Sequence, residues 1–304
     1  MAQNYDLIVI GEGIAGLTCA NHAARVGLKV ATFEGNLFGG LVINIGELEG
    51  YPEDRQTSGA EFASELMEKN GGLNVDSVQE PVASVTAAGG NFEVKTGSGR
   101  YTAKQVVVAS GARLKKLGVP GEAEYEGRGV SQCADCDGPM FQNEEVAVVG
   151  GGDAALQEAL VLAKFCGKVN VLARGERLRA RKHFVDLVAA EPKISIVRNI
   201  ALDAVLGGKM VEKIRIRGTQ DNQTREMACA GVFVNIGLTP NSDFLPADVK
   251  RDQHGAVVTG DGLETSVKGI WAVGAVRSGY SGLLKDAAAE AERAAKGAAA
   301  RLKG

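Results

Sequence analysis

The sequence predicts an α/β protein built from two doubly wound, Rossmann-like units, the second inserted into the first. Three observations carry this. The turn Gly11-Glu12-Gly13-Ile14-Ala15-Gly16 stands between a short apolar run and a helical pattern, and Gly150-Gly151-Gly152-Asp153-Ala154-Ala155 repeats the arrangement in mid-chain. Near the end, Gly269-Ile270-Trp271-Ala272-Val273-Gly274 reads as a strand entering a turn ahead of the last helix, so the carboxy-terminal segment returns to complete the first unit. The expected domains are 1–113 with 243–304, and 114–242, with crossovers in 113–118 and 239–243, close to Pro120 and Pro240.

Bulk properties exclude several classes. The 304 residues suffice for two domains of ordinary size, and 45% hydrophobic with 23% charged residues is a globular balance. A net charge of −3 leaves no basic footprint for nucleic acid and no polybasic membrane patch. Five cysteines, two of them paired by spacing, do not make a secreted disulfide scaffold, and Cys19, Cys166 and Cys229 lie in apolar contexts that read as buried thiols. The run Leu7–Ile10 follows Asp6 and lacks the basic flank of a signal peptide, and the Ala-rich stretch from Ala287 to Leu302 is interrupted by charges. A cytoplasmic protein without membrane attachment is the expectation.

In the first unit, Leu7-Ile8-Val9-Ile10 has the continuous apolar character of a buried parallel strand. A helical pattern follows through Leu17, Ala20 and Ala24, Gly27 stops it, and a second strand from Lys29 to Phe33 ends in Glu34. Strand, glycine turn, helix, strand and terminal acid form the dinucleotide fingerprint. The glycines admit a pyrophosphate to a helix N-terminus, and an acid 18 residues past Gly16 can bind a ribose hydroxyl. Gly39-Gly40-Leu41 and Glu49-Gly50-Tyr51-Pro52 lie in a long loop, and Glu61–Asn70 reads as an amphipathic helix. Phe92–Lys95 and the run from Tyr101 flank Gly97-Ser98-Gly99, a hairpin signal; the second strand ends at Ala109, before Ser110-Gly111-Ala112. The Gly111 turn lets a backbone pass close to a bound cofactor, although tight packing alone explains it equally.

Next comes Cys133-Ala134-Asp135-Cys136-Asp137-Gly138. Cysteines two residues apart can close a small disulfide ring, and a C-x-x-C in a chain of βαβ units reads as a redox pair. Asp137 stands where a carboxylate can move protons as the ring opens. The alternatives are half a zinc site or two structural thiols; no second C-x-x-C or H-x₃₋₅-H supplies the remaining ligands. His22, His183 and His254 are scattered, so no metal site is expected.

The second unit starts with the strand Glu145–Val149, followed by the second glycine turn, a helix to Cys166 and the strand Lys168–Ala173. Arg174 stands where the first unit has Glu34, with Arg177, Arg179 and Arg181 close behind. Arginine there suits a ribose phosphate, although a solvated basic loop reads the same way. Asp153 reads as a helix cap or as a group near the nicotinamide phosphates. The fold class is therefore α/β with two dinucleotide-binding domains. Two dinucleotides and a dithiol imply electron flow from nicotinamide to flavin to disulfide.

Taken together these residues resemble the low-molecular-weight thioredoxin reductases over almost the whole chain. The marks are Gly11–Gly16, Gly39-Gly40, Cys133–Gly138, Gly150–Ala155, Gly237 with Pro240-Asn241, and Thr265–Gly274. The resemblance implies a nicotinamide domain inserted into an FAD domain and rotating against it, with thioredoxin or a thioredoxin-like protein as partner and a homodimeric assembly. It implies that Cys133 attacks the partner disulfide, Cys136 faces the flavin and Asp137 is the acid–base. FAD falls to Gly11, Gly13, Ile14, Ala15, Gly16, Glu34, Gly35, Gly39, Gly40, Leu41, Gly111, Ala112, Gly274 and Ala275; NADPH falls to Gly150, Gly152, Asp153, Ala154, Arg174 and Arg179.

Several positions depart from that pattern. Ala275 replaces an aspartate that bonds the FAD linker, Leu41 a glutamine and Gly50 an asparagine, and the Arg-Gln-Ala run near the flavin ring is missing from 281–285. The family's His-Arg-Arg-x-x-x-Arg is Ala173-Arg174-Gly175-Glu176-Arg177-Leu178-Arg179, which keeps two of three arginines. Two rivals follow: the same flavin and disulfide serving another donor or acceptor (ferredoxin, a second flavin, or oxygen), or a nucleotide-binding scaffold without the chemistry.

Overall fold

The amino-terminal apolar run becomes β1 (Gln3–Ile10), the first strand of a computed structural model that describes residues 3–303. It feeds α1 (Ile14–Arg25) through the first glycine turn, then β2 (Val30–Phe33), α2 (Gly59–Gly71) and β3 (Asp76–Val78). A capping box starts α2: the Glu61 N–H donates to Ser58 Oγ and the Ser58 N–H donates to Glu61 Oε2. The antiparallel β4 (Val82–Ala88), β5 (Asn91–Thr96) and β6 (Arg100–Val108) follow. The first half of β6 pairs with β5 and its second half runs parallel to β1, so one strand joins a polar hairpin to a buried parallel sheet.

After β7 (Ala112–Leu114) come the elements of the inserted unit: β8 (Val130–Ser131), α3 (Ala134–Asp137), β9 (Glu145–Val149), α4 (Asp153–Ala163), β10 (Lys168–Ala173), α5 (Lys182–Ala190) and β11 (Ile194–Arg198). The antiparallel β12 (Ile200–Gly207), β13 (Val211–Gly218) and β14 (Thr224–Ala228) precede β15 (Gly231–Val234) and β16 (Leu238–Pro240). Then β17 (Ile270–Ala272) and α6 (Leu284–Lys303) close the chain.

The chain divides into one unit of residues up to Arg113 together with those from Thr239 onward, and a second unit, Leu114–Leu238. The return crossing falls at Leu238–Thr239 rather than at 242–243. Asn241 accounts for the difference: its N–H donates to the Gly111 carbonyl and its amide to the Ser110 carbonyl, which ties it to the first unit.

In the first unit the sheet runs β3-β2-β1-β6-β5-β4, with β17 added in parallel to β6. Leu7, Ile8, Val9, Val106, Val107 and Val108 are buried, as a sheet covered on both faces requires. One face packs α1 and α6, the latter through a stripe of Ala287, Ala291, Ala294, Ala295 and Ala298. Small side chains let α6 lie close: a Cβ on Gly297 would come within 2.7 Å of the Trp271 ring. That ring is buried and its Nε1–H donates to Gln105 Oε1 at 3.0 Å, so it cannot swing aside.

In the second unit β11-β10-β9-β15-β8 form a parallel sheet. One face packs α4 and α5; Leu202, Ile214 and Ile216 of the three-stranded β12-β13-β14 sheet share a core with Ala147, Leu172 and Val232 on the other.

Gly297→Ala separates two opposed effects. Alanine gains roughly 1 kcal/mol of helix propensity, but overpacking a fixed ring costs about 1–3 kcal/mol. The clash is expected to win and the urea midpoint to fall; a raised midpoint would show that α6 is free to slide away from Trp271.

Candidate functional site

The first glycine turn is shaped by what it must avoid. A Cβ on Gly11, at φ +107°, would stand 2.3 Å from the Ala109 carbonyl oxygen, and one on Gly16 only 1.8 Å from the Gly11 carbonyl oxygen. A Cβ on Gly13 would meet nothing within 4 Å. The outer two glycines are demanded by the chain's own packing, whereas the middle one leaves bare backbone open to an approaching group. Gly13 also bridges Gly39, Gly40 lies against the Gly13 Cα, and Gly274 packs against Ala15. The structure thus gathers Gly11, Gly13, Ala15, Gly16, Gly39, Gly40 and Gly274 in one place. Ile14 is turned into a core with Leu17, Leu48 and Phe62.

Glu12, at a variable position of the motif, holds this place together. Its carboxylate is wholly buried and accepts from Thr32 Oγ1 and Ser77 Oγ, both at 2.6 Å, and from Gln79 Nε2 at 2.9 Å. Its N–H donates to Glu34 Oε2 at 2.9 Å and its carbonyl accepts the Gly39 N–H at 2.6 Å. Glu34, whose other oxygen accepts the Asn36 N–H, is therefore fixed at the end of β2. Nothing in the fingerprint pattern marks Glu12.

The other residues assigned to FAD lie around this turn or at the crossover. Gly35 backs onto Pro81, Leu41 is exposed on the short helical turn Gly40–Asn44, and Gly111 and Ala112 lead into β7. Ala275 has no carboxylate to offer, but Glu290 reaches the same turn from α6. One of its oxygens accepts the Gly274 N–H at 2.9 Å and the other pairs with Arg277. Glu290 is buried within an alanine-rich helix, where the sequence offers no sign of its role.

In the second unit Gly150 plays the part of Gly11, since a Cβ there would press on the Asn235 carbonyl oxygen at 2.2 Å; around Gly152 the space is open. The arginine-rich stretch is pinned to this turn, with the Arg179 and Ala180 N–H groups donating to the Gly151 carbonyl. Arg174, Arg177 and Arg179 are exposed, and among the described residues no carboxylate pairs with their guanidinium groups. Asp153 is the first helical residue of α4 rather than its cap, and its carboxylate accepts the Arg181 N–H and Nε–H at 2.7 and 2.6 Å. Ala154 is exposed beside it.

Cys133 and Cys136 are joined as a disulfide on and around α3, with Cα atoms 5.4 Å apart. Cys133 caps the short helix, and the Cys136 N–H donates to its Sγ at 3.2 Å. Cys136 is exposed and Cys133 half-buried. Both sulfur-bearing residues and Asp137 line a cavity of about 290 Å³, shared with Ser131, Glu122 and the Lys116–Glu126 ion pair. Behind the helix, the Ala134 N–H donates to Glu158 Oε2 of α4 at 2.5 Å. Burial pushes the Glu158 carboxyl up to about 7; the Ala134 hydrogen bond opposes this and the Asp135 charge adds to it. Burial also pushes the Cys19 and Cys229 thiols up to about 12 and Cys166 to about 11, which leaves them inert at neutral pH. Among the described residues no cluster of His, Cys, Asp and Glu could hold a metal, and no helix is long and apolar enough to cross a membrane.

Both glycine turns have the donor set a dinucleotide needs. Each offers open backbone at the middle glycine and a helix N-terminus behind it. One turn has a fixed acid at the strand end; the other has unpaired arginines.

Comparison with known proteins agrees. The family model for pyridine nucleotide-disulphide oxidoreductases matches residues 5–295. Thioredoxin reductase of Treponema pallidum is 39% identical over 279 residues, 91% of each chain. That of Mycolicibacterium smegmatis is 37% identical over 272 residues, 89% of this chain and 88% of the relative. The crystal structure of Lactococcus lactis thioredoxin reductase superposes with a TM-score of 0.92 at 33% identity, covering 97% of this chain and 98% of that one. With two nucleotide turns and a C-x-x-C disulfide in one chain, and these relatives along nearly its full length, the protein belongs to the pyridine nucleotide-disulphide oxidoreductase family, among the FAD- and NADPH-dependent thioredoxin reductases.

Proposed function

We propose that the protein is a flavoprotein disulfide reductase, passing electrons from NADPH by way of FAD and the Cys133–Cys136 disulfide to thioredoxin or a similar protein disulfide. The observation that carries this reading is the closed Cys133–Cys136 ring, with Asp137 beside it, at the edge of a cavity in the unit that holds the second glycine turn.

FAD bound at the first turn and NADPH at the second supply the hydride chemistry that no side chain provides. The chain's part for FAD falls to the Gly11–Gly16 turn, to Glu34 at the end of β2 and to the Gly39-Gly40 and Gly274 backbones. For NADPH it falls to Gly150, Gly152, Arg174 and Arg179, whose loop Gly151 holds in place. Glu290, bonded to Gly274, supports the turn in which Ala275 lacks the family's carboxylate.

Once the ring is reduced, the Cys133 thiolate attacks a sulfur of the partner's disulfide, forming a mixed disulfide and expelling one partner thiolate. Cys136, as its thiolate, then attacks Cys133 Sγ, which closes the ring and expels the second partner sulfur as a thiolate that takes its proton from water. Asp137 supplies the proton that the first departing thiolate takes up and recovers one from the Cys136 thiol. The Cys136 N–H aimed at Cys133 Sγ favours the anionic sulfur at Cys133. We further place the protein in the cytoplasm as a homodimer.

Two variant experiments test the assignment. Cys136→Ser is expected to abolish turnover with thioredoxin while leaving reduction of bound flavin by NADPH intact. It is also expected to trap thioredoxin as a stable mixed disulfide through Cys133, visible by non-reducing electrophoresis. Trapping by Cys133→Ser instead would reverse the two roles. Arg174→Ala and Arg179→Ala are expected to raise the KM for NADPH about tenfold, as for loss of one charge-assisted phosphate contact, and to leave that for NADH nearly unchanged. Equal effects on both nucleotides would make the two arginines general surface charge.

A further inference from the structure

We propose that Glu158 is a positioning residue for the redox pair: it anchors the peptide N–H between the two cysteines, and its charge governs how readily Cys133 ionises in the reduced protein. The inference rests on the reading of Cys133–Cys136 as the redox-active disulfide.

The geometry is specific. Ala134 directly follows Cys133, is fully buried, and has its N–H held by Glu158 Oε2 at 2.5 Å. Its neighbour bonds on the same turn are the Cys136 N–H to Cys133 Sγ and the Asp137 N–H to the Cys133 carbonyl. The first turn of α3 is therefore fastened from inside by the cysteine and from behind by a carboxylate on α4. A helix of four residues cannot hold its own shape, so the external anchor matters when the ring opens and the covalent constraint is lost.

The same carboxylate is half-buried and takes its proton near pH 7, because burial disfavours its charged form. Asp135 on α3 is the charged side chain that acts on it. Of the other elements packed on α4, β9 and β10 pair Glu145 with Lys168, α5 pairs Lys182 with Asp186, and His183 of α5 and Arg198 of β11 are exposed. Lys193 spends its ammonium on the Ala163 carbonyl at the far end of α4, and among the described residues no Lys, Arg or His forms an ion pair with Glu158. Below neutrality the group is uncharged and leaves the Cys133 thiol alone. Above neutrality it places a negative charge on the N–H of the residue that follows Cys133, whose sulfur must itself become negative, so thiolate formation is displaced to higher pH.

The test compares wild-type holoprotein with Glu158→Gln and Glu158→Asp. Each is reduced with dithiothreitol, freed of it, and alkylated with iodoacetamide between pH 6 and 9, with labelled Cys133 counted by peptide mass spectrometry. Glutamine keeps an acceptor for the Ala134 N–H but carries no charge. It is expected to match wild type at pH 6 and to alkylate about two- to fivefold faster at pH 8, as for a thiol ionising roughly half to one pH unit lower. Aspartate keeps the charge and is expected to retain the slow wild-type rate at pH 8. A glutamine variant that follows wild type at every pH would overturn the proposal, as would an aspartate variant that follows glutamine. The readout uses neither nucleotide nor thioredoxin, so a failure of the wider functional reading would appear separately, as absent turnover with an unchanged alkylation profile.

Discussion

A buried carboxylate at Glu12 is the constraint on which the first unit's geometry depends. A carboxyl group without exposed surface is tolerable only if its oxygens are satisfied, and Thr32, Ser77 and Gln79 do this from β2, from β3 and from just beyond β3. Satisfying it draws the carboxyl-terminal ends of three strands together at the place where the glycine turn begins. The backbone of the same residue positions Glu34 through its N–H and the Gly39 turn through its carbonyl. The acid at the end of β2, the bare backbone at Gly13 and the Gly39-Gly40 corner are thus set by one residue rather than three independent ones.

The two units solve the same problem with opposite charge. Each runs a buried parallel strand into a turn whose outer glycine cannot carry a Cβ, and each leaves the middle glycine open. At the end of the next strand the first unit fixes a carboxylate and the second exposes arginines, of which Arg179 is held through its N–H by the Gly151 carbonyl. The second unit adds a short helix, α3, packed against α4. As a result α4 bears the glycine turn at its start and the anchor of the redox pair, Glu158, in its second turn.

Much of the fold was legible because local pattern and tertiary role agreed. The runs at Leu7–Ile10, Val106–Val108 and Val146–Val149 are apolar throughout, as strands covered on both faces must be. The hairpin at Gly97-Ser98-Gly99 and the helix capped by Ser58 and Glu61 were legible for similar reasons. The β12-β13-β14 sheet was harder to see, since a register shift between Leu202 and Ala204 interrupts the alternation that would mark its first strand. The candidate site was legible in its glycines and cysteines, which motif spacing exposes. Glu12, Glu158 and Glu290 were not. Each is one acid among many in the sequence, and only the fold reveals that Glu12 and Glu290 are withdrawn from water, that Glu158 is half-buried, and that each is turned toward a backbone N–H or a hydroxyl.

The central claim is that this chain delivers reducing equivalents from a nicotinamide nucleotide to a protein disulfide. Anaerobic titration of the purified holoprotein with NADPH, followed by addition of oxidised thioredoxin, tests it most directly through the flavin absorbance near 450 nm. The account predicts bleaching by NADPH and stoichiometric recovery of the colour when thioredoxin is added. A flavin that NADPH does not bleach, or that stays bleached in the presence of oxidised thioredoxin, would contradict it.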